Sequence, residues 1–171
     1  MAFKITDFLT SIRDLARNYQ FEAEIIFPTI VGNPPLGLTN ILVESTNLPV
    51  KTIEEVDSSF MGQPIKLAGM LSYPTWNVTI RVDDNYEVYK KFRAWSELVV
   101  GTETNIASFP NQYKSNINFY QLDGAGNRII SYTLYGAWVS NIQEETVDYG
   151  NRNISLLPIG FEFDFFLQKT L

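Results

Sequence analysis

The sequence predicts a mainly β protein: one antiparallel β-barrel or sandwich, with an N-terminal helix and one internal helix flanking it. Three observations carry this. Short apolar/polar alternations recur along most of the chain, they are joined by turn-rich segments rather than crossover helices, and only two stretches repeat at helical spacing. With 171 residues, 45% hydrophobic and 14% aromatic, the chain is sized for one domain, 1–171, with a sizeable core.

Ile5, Phe8, Leu9, Ile12, Leu15 and Tyr19 recur at steps of three and four, which predicts an amphipathic helix over Thr6–Asn18 within an N-terminal arm, 1–19. Phe21, Ala23, Ile25 and Phe27 then alternate with Glu22 and Glu24, the period-two pattern of a half-buried strand. Pro28 to Gly37 reads as a loop. Strands are predicted over Leu38–Thr46 and Lys51–Ser58, joined at Asn47-Leu48-Pro49-Val50, and then over Ile65–Ala68 and Trp76–Val82. In the last of these Trp76, Val78, Ile80 and Val82 face the core.

Val88, Phe92, Trp95 and Val99 form the apolar stripe of the internal helix. Asp84 with Glu87 is its expected capping box and Gly101 its left-handed stop. Glu87 with Lys91, and Arg93 with Glu97, stand one turn apart on the exposed side. Beyond it strands are expected over Ser115–Leu122, Arg128–Trp138, Val139–Tyr149 and Ile154–Leu167. The Gly-rich tip Asp123–Asn127 joins the first two, and Pro158 and Gly160 mark a bulge or bend in the last. Phe161, Phe163 and Phe165 alternate on one strand face and are assigned to the core.

Thirteen basic residues against 19 acidic ones give a formal charge of -6. That balance argues against a dedicated nucleic-acid binder, which needs cations to displace counterions from phosphates. The chain has no cysteine and no histidine, so thiolate nucleophiles, zinc–thiolate sites and Ser–His or Cys–His pairs are excluded. Carboxylates remain, in three clusters: Glu54-Glu55-Asp57, Asp83-Asp84 and Glu144-Glu145-Asp148. No spacing among them singles out a glycosidase-like pair or a calcium loop, and no phosphate-cradling glycine loop is present. Neither an enzyme, a metal nor a cofactor is expected. Asp7, Arg13 and Asp14 interrupt any secretory leader, and Pro28, Gly32, Pro34, Pro35 and Gly37 break the uncharged stretch from Ile25 to Val43, so no membrane segment is expected.

One pair of motifs is more informative. Phe60-Met61-Gly62-Gln63-Pro64-Ile65-Lys66-Leu67-Ala68-Gly69 is followed by Pro74-Thr75-Trp76-Asn77-Val78-Thr79-Ile80. Together they resemble a signature of the tail tube proteins of contractile-tailed, T-even-like bacteriophages, in which a Phe-Met-Gly run ending in Ala-Gly precedes a Trp-centred strand. The resemblance extends to Asn47-Leu48-Pro49, Phe21–Ile25, Phe92-Arg93-Ala94-Trp95, Lys114-Ser115, Gly136-Ala137-Trp138 and the terminal Phe161–Phe165 run, and so covers the chain beyond the first helix. The Asn33-Pro34-Pro35 insert and the Asp123–Asn127 tip are longer than the family's usual connections.

The resemblance implies a structural subunit of hexameric rings stacked into a hollow tube, located in the virion tail after assembly in the host cytoplasm. It implies sheath and baseplate proteins as partners and DNA passing through the lumen without specific binding. It also implies that 58–69 is an extended inter-subunit loop, with Phe60, Met61, Gly62, Pro64 and Lys66 as inter-subunit or inter-ring contacts. In such a tube Glu44, Glu54, Glu55, Asp57, Glu144, Glu145 and Asp148 are candidates for an acidic lumen wall, which would repel a threaded polyanion and keep it mobile. Two other readings compete: the tube of a DNA-free contractile injection particle or type VI secretion system, and a monomeric β-barrel binding module with Trp76, Trp95 and Trp138 around an apolar ligand.

Overall fold

A computed structural model of the chain describes residues 5, 17–34, 38–143, 149–150 and 152–171. The helix expected over Thr6–Asn18 lies outside the described residues, apart from its last two positions. Among the described residues, nine strands and three helices follow: β1 (Phe21–Ile25), α1 (Leu38–Leu42), β2 (Val43–Thr46), β3 (Thr52–Phe60), β4 (Gln63–Ser72), β5 (Trp76–Arg81), α2 (Glu87–Val99), α3 (Pro110–Tyr113), β6 (Ser115–Leu122), β7 (Arg128–Ile142), β8 (Leu156–Glu162) and β9 (Phe165–Thr170).

All pairings are antiparallel. Strands run β1-β6-β7-β8-β5-β2, with β9 also on β7, in a 7-stranded sheet; β3 and β4 form a separate two-stranded one. β7 joins the halves of the large sheet: residues 130–135 pair with β9 while residues 138–142 pair with β8. The sheet therefore wraps its own core, as the chain of uncrossed strands predicts.

The core is aromatic and filled. Trp76, Val78 and Ile80 on β5 are 2%, 1% and 0% exposed, in keeping with the period-two reading. Val88, Phe92, Trp95 and Val99 are the buried residues of α2, which plugs the sheet. Phe27 packs 4.9 Å from Phe92 and 5.3 Å from Trp95, ring centre to ring centre, and Trp95 lies 5.8 Å from Phe161. The Trp95 indole N–H donates to the Tyr113 carbonyl at 2.8 Å.

Several local expectations are corrected. Leu38–Leu42 is a helical turn rather than the start of a strand, and it brings the Asn40 amide oxygen to the Ile25 N–H at 3.2 Å. The first turn of α2 is capped by Asp83, not Asp84: its carboxylate accepts from the N–H groups of Glu87 and Val88 at 2.9 and 3.2 Å. Gly101 does not take a left-handed φ; the positive-φ residues of this region are Tyr86 and Asn105. Lys91 reaches the Val31 carbonyl at 2.7 Å rather than Glu87, and Glu97 accepts from the Thr102 N–H and hydroxyl, both at 2.6 Å.

The strands predicted over Arg128–Trp138 and Val139–Tyr149 are one, β7, which ends at Ile142. Gly136 is a bulge within it, with φ +64°. Pro158 and Gly160 lie inside β8, opposite Thr79 and Asn77, and the β7–β8 register shifts between Val139 and Asn141, opposite Phe161 and Gly160, so the irregularity expected there is a bulge and not a bend. The break falls at Asp164, and it shifts the alternation by one residue. Phe161 and Phe163 are buried as expected, but Phe165 is 42% exposed and Phe166 turns inward against Tyr73 and Tyr132.

Candidate assembly surface

β3 and β4 make a hairpin that stands apart from the body. Every residue of β3 is exposed, and in β4 only Gly69 and Ser72 are half-buried. At about 3.3 Å per residue the arm is about 30 Å long. The 58–69 segment expected as an extended loop is thus the distal part of a regular hairpin, closed by the Phe60–Gln63 pair. Met61 and Gly62 fill the turn with φ 50° and 79°, the two positive-φ positions of a two-residue turn that matches strand twist.

Glycine takes the second of those positions without strain; methionine at the first does not. Met61 is 90% exposed and its neighbour Phe60 64% exposed. A large apolar side chain at a strained, solvated tip gains nothing within its own subunit, and such departures from local preference collect at functional sites.

The register sorts the arm into two faces. Asp57 opposes Lys66 and Glu55 opposes Ala68, whereas Val56 opposes Leu67 and Ser58 opposes Ile65. One face therefore carries Glu55, Asp57 and Lys66, with a 2.7 Å ion pair between Lys66 and Glu55. The other carries Val56, Ile65 and Leu67, each at least 42% exposed. The ion pair is solvated on both sides and adds about 0–1 kcal/mol. Gly69 fits the bulge near the base of the arm: a Cβ there would stand 2.9 Å from the Glu54 carbonyl and from Val56 Cγ2.

The described acidic positions divide between two strands and two faces. Glu44 lies on β2, 3.5 Å from Arg81. Glu55 is paired, and Glu54 points to the face opposite Glu55 and Asp57, because neighbours on a strand alternate. Glu144, Glu145 and Asp148 lie outside the described residues. Among the described residues no three acidic side chains gather into a metal site, and no helix is long and apolar enough to cross a membrane.

Among the described residues the three tryptophans pack against other rings rather than around a common cavity. Trp76 and Trp95 pack on Phe161, and Trp138 meets Tyr113 edge-on at 6.0 Å. A cleft of about 150 Å³ between Asn47–Val50 and Pro74–Trp76 touches Trp76 from outside, well below the roughly 300–1,000 Å³ of ordinary ligand pockets. The aromatic rings around Trp76, Trp95 and Trp138 occupy the space that the binding-module expectation assigns to a ligand.

At the far end of the body the β6–β7 tip is held by Asp123, whose carboxylate accepts from the Ala125 and Asn127 N–H groups at 2.8 Å and from the Asn127 side chain at 3.0 Å. The Asn127 side chain, then the backbone donors, hold the Asp123 carboxyl below its usual range; Glu97 is lowered likewise by the Thr102 hydroxyl and N–H. A depressed carboxyl contributes stability that is complete above its unfolded pKa and disappears as pH falls through the folded value. The tip should therefore keep the Asn127 amide protected at pH 4 and release it only at lower pH. Hydrogen exchange across pH 2–5 checks this, with Asp123→Ala expected to remove the protection throughout.

The arm thus projects an apolar face and an apolar tip from an aromatic-cored barrel. Residues 4–169 match the family described as phage tail tube protein. The chain belongs to that family. It is 25% identical over 143 residues to the tail tube protein gp19 of Enterobacteria phage T4, covering 82% of this chain and 83% of that one. It is 24% identical to the tail tube protein of Serratia phage KSP90, covering 77% and 76%.

Solved structures share the tail tube protein's fold at lower identity. A chain of the anti-feeding prophage baseplate superposes with TM-score 0.72 at 15% identity, covering 92% of this chain and 97% of that one. A chain of the sheath–tube complex of the extracellular contractile injection system PVC gives 0.59 at 13%, covering 99% and 100%. The Phe60–Gly69 and Pro74–Ile80 motifs were thus sound guides to the family.

Proposed function

We propose that this tail tube protein is the non-catalytic subunit of hexameric rings that stack into the inner conduit of a contractile phage tail. In this reading the sheath surrounds the tube, the baseplate sets its first ring, and the genome passes through without specific binding. The protein resides in the virion tail after assembly in the host cytoplasm and needs no cofactor. One observation carries the reading: in a chain of this family, the β3–β4 arm exposes an apolar face and an apolar tip that its own body does not cover. Phe60, Met61, Gly62, Pro64 and Lys66 then contact the adjacent subunit or ring. The excess of acid, including Glu54 and Asp57 on the arm, keeps a passing polyanion from adhering.

The experiment is the double substitution Phe60→Ser with Met61→Ser. Both side chains are solvated in the subunit, so the variant should fold with an unchanged melting curve. Electron microscopy should show subunits or isolated rings in place of long tubes. Tubes of normal length from this variant would overturn the assignment of the tip as a contact.

A further inference from the structure

Asp123-Gly124 is the one Asp–Gly pair in the sequence, which has no Asn–Gly. An aspartate before glycine is the aspartyl site most open to backbone damage, because the residue that follows has no side chain to keep its nitrogen from the carboxyl carbon. The pair lies at the exposed β6–β7 tip, and tips open more readily than the strands they join. Yet every polar group of Asp123 is engaged.

Its Oδ1 accepts from the Ala125 and Asn127 N–H groups, both at 2.8 Å, and its Oδ2 from the Asn127 carboxamide at 3.0 Å. Its own N–H donates to the Asn127 carbonyl at 2.9 Å, and its carbonyl accepts from the Gly126 N–H at 3.1 Å. Gly126, at φ +85°, turns the chain so that Asn127 comes back to Asp123. The Gly124 N–H has no partner among the described residues. The nitrogen is free, and the carboxyl it would attack is held.

We propose that Asp123-Gly124 is a latent isoaspartate site, kept as aspartate by the hold of Asn127 on its carboxyl. The reaction held back is a ring closure. Gly124 N gives up its proton and bonds to Asp123 Cγ, the bond from Cγ to one carboxyl oxygen breaks, and that oxygen leaves as water. Water then opens the succinimide at either carbonyl carbon. Addition at Cγ restores aspartate; addition at the main-chain carbonyl carbon breaks its bond to Gly124 N and leaves the backbone running through Cγ, one methylene longer. No oxidant takes part, and the final mass is that of the starting chain.

Closure requires a protonated carboxyl with Cγ turned to the nitrogen. The bonds to Oδ1 and Oδ2 oppose both requirements, since they favour the carboxylate and fix its direction. Each unit by which a carboxyl's pKa falls cuts its protonated fraction at neutral pH about tenfold, and a reacting atom held about 1 Å out of place costs about 10²-fold. What the hold protects is local order. Beside the tip Arg128 grips Glu22 at 2.9 and 3.0 Å and covers the Tyr120 ring at 3.8 Å, tying β1, β6 and β7 together. The hold lies within one subunit and stands whatever that subunit assembles into.

The test ages folded wild type and Asn127→Ala at pH 6 and 37 °C, with urea-unfolded wild type as the reference. Trypsin releases residues 115–128, which contain one aspartate, so a product of changed retention and unchanged mass reports Asp123. Folded wild type should isomerise at least about tenfold more slowly than the unfolded chain, and Asn127→Ala should recover most of that difference. Adding Gly124→Ala, at a position without positive φ, should slow the reaction again. Residues 52–66 carry Asp57-Ser58 and report loosening of the whole fold; their rate should not change.

Folded wild type that ages as fast as the unfolded chain would overturn the site's protection. Asn127→Ala as slow as wild type would remove Asn127 as its source, and so would an equal rise at Asp57, which would trace the effect to unfolding. Undiminished isomerisation with Gly124→Ala added would overturn Gly124 N as the attacking atom.

Discussion

Trp95→Ala should lower unfolding free energy by about 3–5 kcal/mol, the range for removing a large aromatic side chain from a packed core. Trp95 is 0% exposed and touches Phe27, Phe92 and Phe161, so α2 and β8 lose the group that joins them. The substitution also takes the donor from the Tyr113 carbonyl, and an unsatisfied buried acceptor adds about 1–3 kcal/mol unless water reaches it. Because a domain of this size has about 5–15 kcal/mol in total, the variant should be near the limit of folding at 37 °C. Urea unfolding followed by far-UV circular dichroism reads the loss as a lower midpoint at an unchanged slope. Trp95→Phe separates the contributions: it keeps most of the packing and loses the donor, so it should fall between wild type and Ala. A midpoint for Trp95→Ala within error of wild type would mean that α2 does not plug the core.

The same core explains what could be read from the sequence. Val88, Phe92, Trp95 and Val99 repeat at helical spacing because one face of α2 is buried, and Trp76, Val78 and Ile80 alternate because one face of β5 is. Where no core imposes a period, the pattern carried less. The hairpin is exposed on both faces, so Glu54-Glu55-Val56-Asp57 shows no inward side, and Met61-Gly62 lacks the Asn-Gly or Asp-Gly signature of its turn; strands are legible over Lys51–Ser58 and Ile65–Ala68, but their closure into one hairpin is not, and 58–69 reads as an extended loop. Leu38–Leu42 is too short for period to distinguish helix from strand, and its conformation serves a remote contact, Asn40 with Ile25. The choice of Asp83 over Asp84 depends on the left-handed Tyr86 three residues later, which no composition rule places there.

Acidic clusters were legible only as composition. In Glu54-Glu55-Asp57, strand alternation puts the first residue on one face and the other two on the opposite one, and Lys66 neutralises part of the second face. A run of like charge along a strand is therefore not a charged surface. The family was legible for a different reason: Phe60–Gly69 and Trp76–Ile80 combine a strained apolar tip, a glycine that a close strand crossing requires and a buried strand, and few other arrangements call for that order.

Gly136→Ala should be strongly destabilising, and the reason is where β7 passes from one half of the sheet to the other. Gly136 is the extra residue of a bulge: Ser115 pairs with Ala137 and Ile117 with Leu134, so Asn116 faces two residues. Its φ of +64° lies in the left-handed region, and a Cβ there would overlap the Asp164 carboxyl. Asp164 is tethered rather than crowded: its N–H donates to the Tyr135 carbonyl at 2.9 Å and its half-exposed carboxylate holds Lys114 at 2.6 Å, so yielding to the methyl means shifting that ion pair. Strain at the backbone contributes about 1–3 kcal/mol and the displaced β8–β9 joint adds to it. Gly126→Ala is the matched control: it too has positive φ, +85°, but nothing lies within 4 Å of the added methyl, so it should cost only about 1 kcal/mol. Thermal melting of both variants decides the matter. Equal losses would assign the whole effect to φ, whereas a clearly larger loss at position 136, relieved by Asp164→Gly in the same chain, would place it in the Asp164 overlap that turns β8 into β9.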